Sequence, residues 1–373
     1  MRPKGIAKGV VARLTAYVAW AVLLVFCAGV AVWYVNETRA SPFGNLTPKR
    51  NAYLAQAAGH DVVYFGDSRV LCAFHPDLLD PLTGRRSFNL AHWANWLPTQ
   101  YAFLADVIPR LPRDTVVVWS IGHQNFEKAA IQPVYPIGWR RLPEYLAMGF
   151  TVGDLADNLL TFTPPLMLAG QRENVLGLVD RVLAQPLWRR AAAPAPPGAV
   201  PAAVGPGEDP SLVGRTETYR EGGRLVSYAL VKTNGAYLRV ETDPAYYRER
   251  QVAPAAHAPS FAPSDGYLAL FRATLALFER HGVRVIVNEL EEAPHTYTPG
   301  RLAEVRRFMR VVVRAEVESR GHAYIRADFD RLDDSLYFDW NHLNSRGVVA
   351  YSAMIAPLLR EALAAPRPLA DAR

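Results

Sequence analysis

The sequence predicts an α/β fold with a mainly parallel sheet covered by helices on both faces. Three observations predict it. Asp61-Val62-Val63-Tyr64-Phe65, Thr115-Val116-Val117-Val118-Trp119-Ser120 and Val283-Arg284-Val285-Ile286-Val287 are short, largely apolar runs of strand length. Such runs suit strands buried on both sides, because a strand with one wet face alternates apolar and polar residues. The first two close at Gly66 and Gly122, and the third follows an amphipathic stretch, 267–280, and a helix-stopping His281-Gly282 pair. Strands separated by helices build parallel sheets, since parallel neighbours need a crossover where antiparallel ones need only a hairpin.

Taken in order, the chain opens with Arg2, Lys4, Lys8 and Arg13, then LTAYVAWAVLLVFCAGVAVWYV, an uncharged run from Leu14 to Val35. About 20 helical residues cross a hydrocarbon core. Residues 1–13 are therefore expected to be a cytoplasmic tail and 14–36 a transmembrane anchor. The run exceeds the roughly 7–15 apolar residues of a cleaved signal peptide. Bulky Phe26 before Cys27 does not suit a lipoprotein site. Positive charge before the run and Glu37 after it place residues 37–373 outside the cytoplasm by the positive-inside bias. The expectation is a single-pass protein of the cytoplasmic (inner) membrane with a periplasmic C-terminal domain. Its two cysteines, Cys27 in the run and Cys72 beyond it, are not expected to pair.

Half of the 373 residues are hydrophobic and 20% are charged, which supplies a large core and excludes a disordered chain or a disulfide miniprotein. The net charge is +6, but Arg2, Lys4, Lys8 and Arg13 account for four of those charges. The remainder is nearly neutral and carries no nucleic-acid footprint. Between the second and third apolar runs, 191–210 is rich in Pro, Ala and Gly and reads as a loop. Residues 214–248 alternate polar and aromatic side chains between the turn signals Gly222-Gly223 and Asn234-Gly235. Residues 127–262 are thus expected to form a β-containing insertion into one sheet domain.

Four segments carry candidate chemistry. Phe65-Gly66-Asp67-Ser68-Arg69 follows the first strand, so Ser68 stands at the carboxyl edge where open α/β sheets bind ligands. Read more plainly, Asp67 or Ser68 is a helix N-cap. In Asp339-Trp340-Asn341-His342 the spacing of three lets the carboxylate approach the imidazole and stabilise it once protonated. A cap before the helical stretch 345–363 and half of a metal site are the other readings. Asp-x-x-His has no further His or Cys at ligand spacing, so no metal is expected. Gly122-His123-Gln124-Asn125 and Ser87-Phe88-Asn89-Leu90-Ala91 offer side-chain and backbone donors for a developing oxyanion, which needs two or three, or are simply turns. Arg69 is either a cation that reads an anionic substrate or the partner of Asp67 or Asp77.

In this order the four segments resemble the Ser, Gly, Asn and C-terminal Asp-x-x-His blocks of the SGNH (GDSL-like) hydrolase superfamily, over about 60–130 and 265–363. The resemblance implies a three-layer α/β/α sandwich with Ser68 as nucleophile, His342 as base and Asp339 as its orienter. It places the Ser68 amide in an oxyanion hole, with Ala91 and either Gln124 or Asn125 as further donors. Ala91 stands where the family usually has glycine, and Gly122-His123-Gln124-Asn125 replaces Gly-x-Asn-Asp.

The anchor and the wording of the Ser and His blocks look like the membrane-anchored acyl-transfer branch, similar to the alginate and peptidoglycan O-acetyltransferases and the lipoteichoic-acid D-alanylation protein. That likeness implies an O-acyltransferase without cofactor that takes an acyl donor and a glycan acceptor beside a multispanning membrane acyltransferase. Two alternatives stand beside acetyl transfer to a polysaccharide: a carbohydrate esterase with the same triad, and a non-catalytic tethered scaffold or glycan-binding subunit. Trp93, Trp96, Trp139, Tyr237, Tyr246 and Tyr247 either stack sugar rings or pack the core.

Overall fold

In strand order along the chain the elements are β1 (Val62–Phe65), β2 (Ser87–Asn89), β3 (Val116–Ile121), β4 (Arg215–Glu221), β5 (Arg224–Leu230), β6 (Leu238–Arg239), β7 (Arg284–Glu289) and β8 (Ala323–Arg326). The structure is a computed structural model and describes residues 4–38, 46–129, 131–163, 215–221, 224–230, 238–239, 261–293 and 296–366. Five strands form one sheet in the order β2-β1-β3-β7-β8, and every neighbouring pair is parallel. The strand period of two sorts the apolar runs between the sheet's faces. Val63, Phe65, Val117, Trp119, Val285 and Val287 point into one core. Val62, Tyr64, Val116, Val118 and Ile286 point into the other.

Helices cover both faces and make three layers. On the first face lie Leu97–Val107, Asp265–Arg280 and the nearly continuous helical stretch 299–319. On the second lie Ser68–Ala73, Pro76–Thr83 and Ser345–Ala364, whose Val348, Tyr351, Ile355 and Leu359 follow the spacing of one helix face. β1 has β2 on one side and β3 on the other, so the chain reverses direction across the sheet there. The crevice beyond the carboxyl ends of β1 and β3 is the place where such sheets bind ligands.

The first part of the expected insertion at 127–262 packs with the sheet domain. Ile131, Tyr135, Ile137, Tyr145, Phe150, Leu155 and Leu159 belong to the first core, and Leu46 N donates to Val134 O at 2.8 Å. Apolar spacing in 131–159 is therefore core packing. Farther on, β4, β5 and β6 form a separate antiparallel sheet, and the turn signal Gly222-Gly223 lies outside the described residues. The Pro-rich stretch 191–210, and Tyr237, Tyr246 and Tyr247, lie outside the described residues.

Lys4–Thr38 is one continuous helix, and Arg13–Val30 within it is long and apolar enough to cross a membrane. Leu14, Tyr17, Trp20 and Leu24 are exposed along it, as suits a helix surrounded by lipid. Ser345–Ala364 matches the same length and composition, but half of it is buried as a core helix.

Candidate active site at the carboxyl edge of the sheet

β1 ends at Phe65, and the chain turns through Gly66 and Asp67 into the helix Ser68–Ala73. Only glycine fits the first turn position: a Cβ on Gly66 would meet the Val70 side chain and lie 2.7 Å from the Ser120 carbonyl oxygen. Asp67 caps the helix, its Oδ1 accepting the Arg69 amide at 3.0 Å. Asn89, buried at the end of β2, donates to the carbonyls of Val70 at 2.9 Å and Phe74 at 2.8 Å. It thus fixes the helix that starts at the serine. Ser68 is half-buried at the top of this elbow.

The Asp–His segment makes its own turn. Phe338 N donates to His342 O at 2.7 Å, while Asp339 Oδ1 accepts the amides of Asn341 at 3.0 Å and His342 at 2.9 Å. Asp and Asn favour such turns because their short side chains reach the backbone just ahead. The His342 Nδ1 lies 2.9 Å from each carboxylate oxygen of Asp339, and Nε2 lies 2.8 Å from Ser68 Oγ. A carboxylate only accepts, so Nδ1 carries the proton and Nε2 is left to accept from the serine hydroxyl. Trp93 packs its ring 5.2 Å from the imidazole. Asn344 caps the following helix at Gly347 N, 3.0 Å, and anchors the turn through Ser335 O, 2.7 Å.

The structure thus brings Ser68, His342 and Asp339 into one hydrogen-bonded row, from opposite ends of the chain beyond the apolar helix. The other donors fare differently. The Ala91 amide already donates to Asn89 Oδ1 at 2.9 Å, which corrects its expected place in an oxyanion hole; its carbonyl accepts from Lys49 Nζ at 2.6 Å. Between the two amides left open by sequence, Asn125 is fully buried and bonded to the Ser68 elbow. Gln124 is half-buried beside it. Trp96 is half-buried. Trp139 is exposed, with its indole N–H on Thr163 Oγ1 at 2.8 Å.

Arg69 also requires correction as a substrate-reading cation. It is 3% exposed. Its Nε donates to Asp67 Oδ1 at 3.1 Å and its Nη2 to Asp67 Oδ2 at 2.5 Å and Asn125 Oδ1 at 3.0 Å. Burial pushes the Asp67 carboxyl up, but the Arg69 charge and hydrogen bonds outweigh it and hold the group below its ordinary value. The residue pairs with Asp67, not Asp77, because the two side chains flank Ser68 and fold to the same side.

Beyond Arg69 lies a buried polar cluster that carries no distinctive sequence signal. His123 Nε2 stands 3.7 Å from Glu292 Oε1 and 3.9 Å from Glu127 Oε2, and Arg301 pairs with Glu127 at 2.9 Å. Tyr297 Oη accepts the Glu292 amide at 3.1 Å. Burial pushes the Glu292 carboxyl up to about 7, against the opposing pull of Arg69. Burial, with Arg69 and Arg301 nearby, holds His123 well below its ordinary value and keeps it neutral. No group of three or more His, Cys, Asp or Glu side chains suited to a metal occurs among the described residues.

No protein-family model matches the chain, and no curated protein matches its sequence.

Proposed function

We propose that the chain is a membrane-anchored, extracytoplasmic serine O-acyltransferase whose acceptor is a glycan hydroxyl. The observation that carries this reading is the row Ser68 Oγ, His342 Nε2, Asp339, with spacings of 2.8 and 2.9 Å. It supports a triad because each group has a neighbour suited to its role: a hydroxyl to be deprotonated, a ring nitrogen able to accept, and a buried carboxylate to stabilise the imidazolium.

In the first half-reaction Ser68 Oγ attacks the acyl carbonyl and its proton passes to His342 Nε2. The tetrahedral oxyanion collapses, and the donor's leaving group departs with that proton. In the second, an acceptor hydroxyl gives its proton to Nε2 and attacks the acyl-serine, and Ser68 leaves reprotonated. The Ser68 amide and Asn125 Nδ2 are the oxyanion donors of this mechanism, with Asn125 preferred to Gln124 because it is tied to the elbow. The SGNH resemblance of the four segments supports the same assignment.

Within this reading, two features favour transfer over hydrolysis. The apolar helix holds the domain at a membrane surface, close to a membrane-delivered donor and a multispanning acyltransferase partner. β6 of the separate antiparallel sheet also runs beside the helix Ser68–Ala73, which puts an added surface next to the nucleophile for an acceptor. With water as acceptor the same triad is an esterase.

Intact-mass analysis after exposure to an activated acetyl ester tests the proposal. Wild type is expected to gain one acetyl group on Ser68, and Ser68→Ala and His342→Ala none. Discharge of the adduct by an added oligosaccharide faster than by water marks a transferase, and equal discharge an esterase. No adduct in wild type overturns the serine mechanism and leaves a tethered scaffold.

A further inference from the structure

We propose that Arg69 is a positioning residue, which with Asp67 clamps the Asn125 side chain in the orientation an oxyanion donor needs. The proposal rests on the serine acyl-transfer reading and deepens it. Asp67 and Arg69 are the two neighbours of Ser68, and their side chains meet in a two-pronged ion pair that is buried from solvent. The guanidinium then reaches across to the loop after β3 and donates to Asn125 Oδ1 at 3.0 Å. The same oxygen accepts the Gly122 amide at 2.9 Å.

Two fixed donors on one oxygen decide which way the amide faces. Flipping Asn125 would set its NH2 group against the N–H groups of Arg69 and Gly122, leaving donors facing donors in a buried site. The NH2 end is therefore held on the side of Asp67, whose Oδ2 lies 3.4 Å away, and Ser68 is the next residue. One long contact to Asp67 leaves the second N–H for a substrate oxygen. Gly122 records the fit: a Cβ there would lie 2.5 Å from Arg69 Nη1.

Stability alone does not account for this arrangement. Desolvation offsets much of the attraction in a buried ion pair, which gives little net stabilisation over an apolar pair of the same size. What the pair supplies is a rigid fork that spans both carboxylate oxygens and one amide oxygen. A lysine ammonium cannot reproduce that geometry.

The test uses the full chain in detergent with p-nitrophenyl acetate as substrate and a fluorophosphonate as the label for Ser68. Arg69→Lys is expected to lower kcat by about 10- to 100-fold with KM changed less than about twofold, since a misplaced donor weakens the transition state more than the ground state. The fluorophosphonate should label it correspondingly slowly. Adding Asn125→Ala to Arg69→Lys should cost little beyond Asn125→Ala alone, because the arginine acts through the asparagine. The charge-free pair Asp67→Asn with Arg69→Met avoids a stranded buried charge and should show the same kcat loss while melting near wild type.

A folded variant with wild-type kcat, or Arg69 and Asn125 losses that multiply, overturns the clamp while leaving the serine reading intact. Failure of wild type to react at Ser68 with either reagent overturns the serine reading and the clamp with it.

Discussion

Glu292 shows how a single side chain can set a pH response. Its carboxyl is pushed up to about 7 from an ordinary value near 4.5 by burial, against the pull of Arg69 and Arg301, with Glu127 adding a like charge. Between those values the folded chain holds a proton that the unfolded chain has released. The stability this confers is full below about 4.5, declines as pH rises to about 7, and is gone above it. The change is on the order of 3 kcal/mol, at about 1.4 kcal/mol per pKa unit. Glu292→Gln keeps the shape without the ionisation, so its stability should lack this decline. Denaturant melts at pH 5 and pH 8 check it: stability at pH 5 minus stability at pH 8 should be lower in the variant than in wild type, and an unchanged difference rejects the assignment. Burial also holds the neighbouring His123 below its ordinary value, so its contribution runs the other way, stability rising with pH as the unfolded chain gives up the imidazole proton, and only the change between wild type and variant isolates Glu292.

At the scale of the element, the Asp339–His342 turn depends on the helix that follows it. Asn344 caps Ser345–Ala364 and also holds the preceding loop. Gly347 sits so close to that loop that a Cβ would run into the Leu336 carbonyl oxygen. Backbone cannot yield as a flexible side chain can, so Gly347→Ala should destabilise the fold by about 3 kcal/mol. It should also slow Ser68 labelling in the fraction that remains folded, because the turn presenting His342 must shift. Thermal melts and labelling rates on the same sample check both effects, and a variant with wild-type values in each would show that the loop is freer than its packing indicates.

At the scale of the whole molecule, both cores lie beyond residue 45 among the described residues, and Leu46 is the first described residue after the apolar helix, fully buried with its amide on Val134. Among the described residues, none of the apolar helix belongs to either core. A chain lacking residues 1–44 is therefore expected to fold without detergent, to melt within a few degrees of the full chain and to lose flotation with lipid vesicles. A deletion that also removes 45–54 strips Leu46 and Tyr53 from the first core and should fail to fold. Circular dichroism and vesicle flotation separate these outcomes.

Much of this was legible in the sequence, and the unread parts share a physical cause. The three central strands were read from their apolar runs, since burial on both faces demands them. The edge strands β2 and β8 were not: Ser87-Phe88-Asn89 and Ala323-Tyr324-Ile325-Arg326 are short and mix polar with apolar residues, as edges do. The sequence alone determined the apolar N-terminal helix, the α/β class and the local Asp339–His342 pairing, because each depends on contacts within a few residues. Only the tertiary structure decided that Ser68 meets His342, that Arg69 turns inward, that the Ala91 amide is already taken and that Asn125 rather than Gln124 joins the elbow. Those outcomes depend on strand order and on which way side chains point at loop ends, and both are set by neighbours brought together only when the sheet assembles.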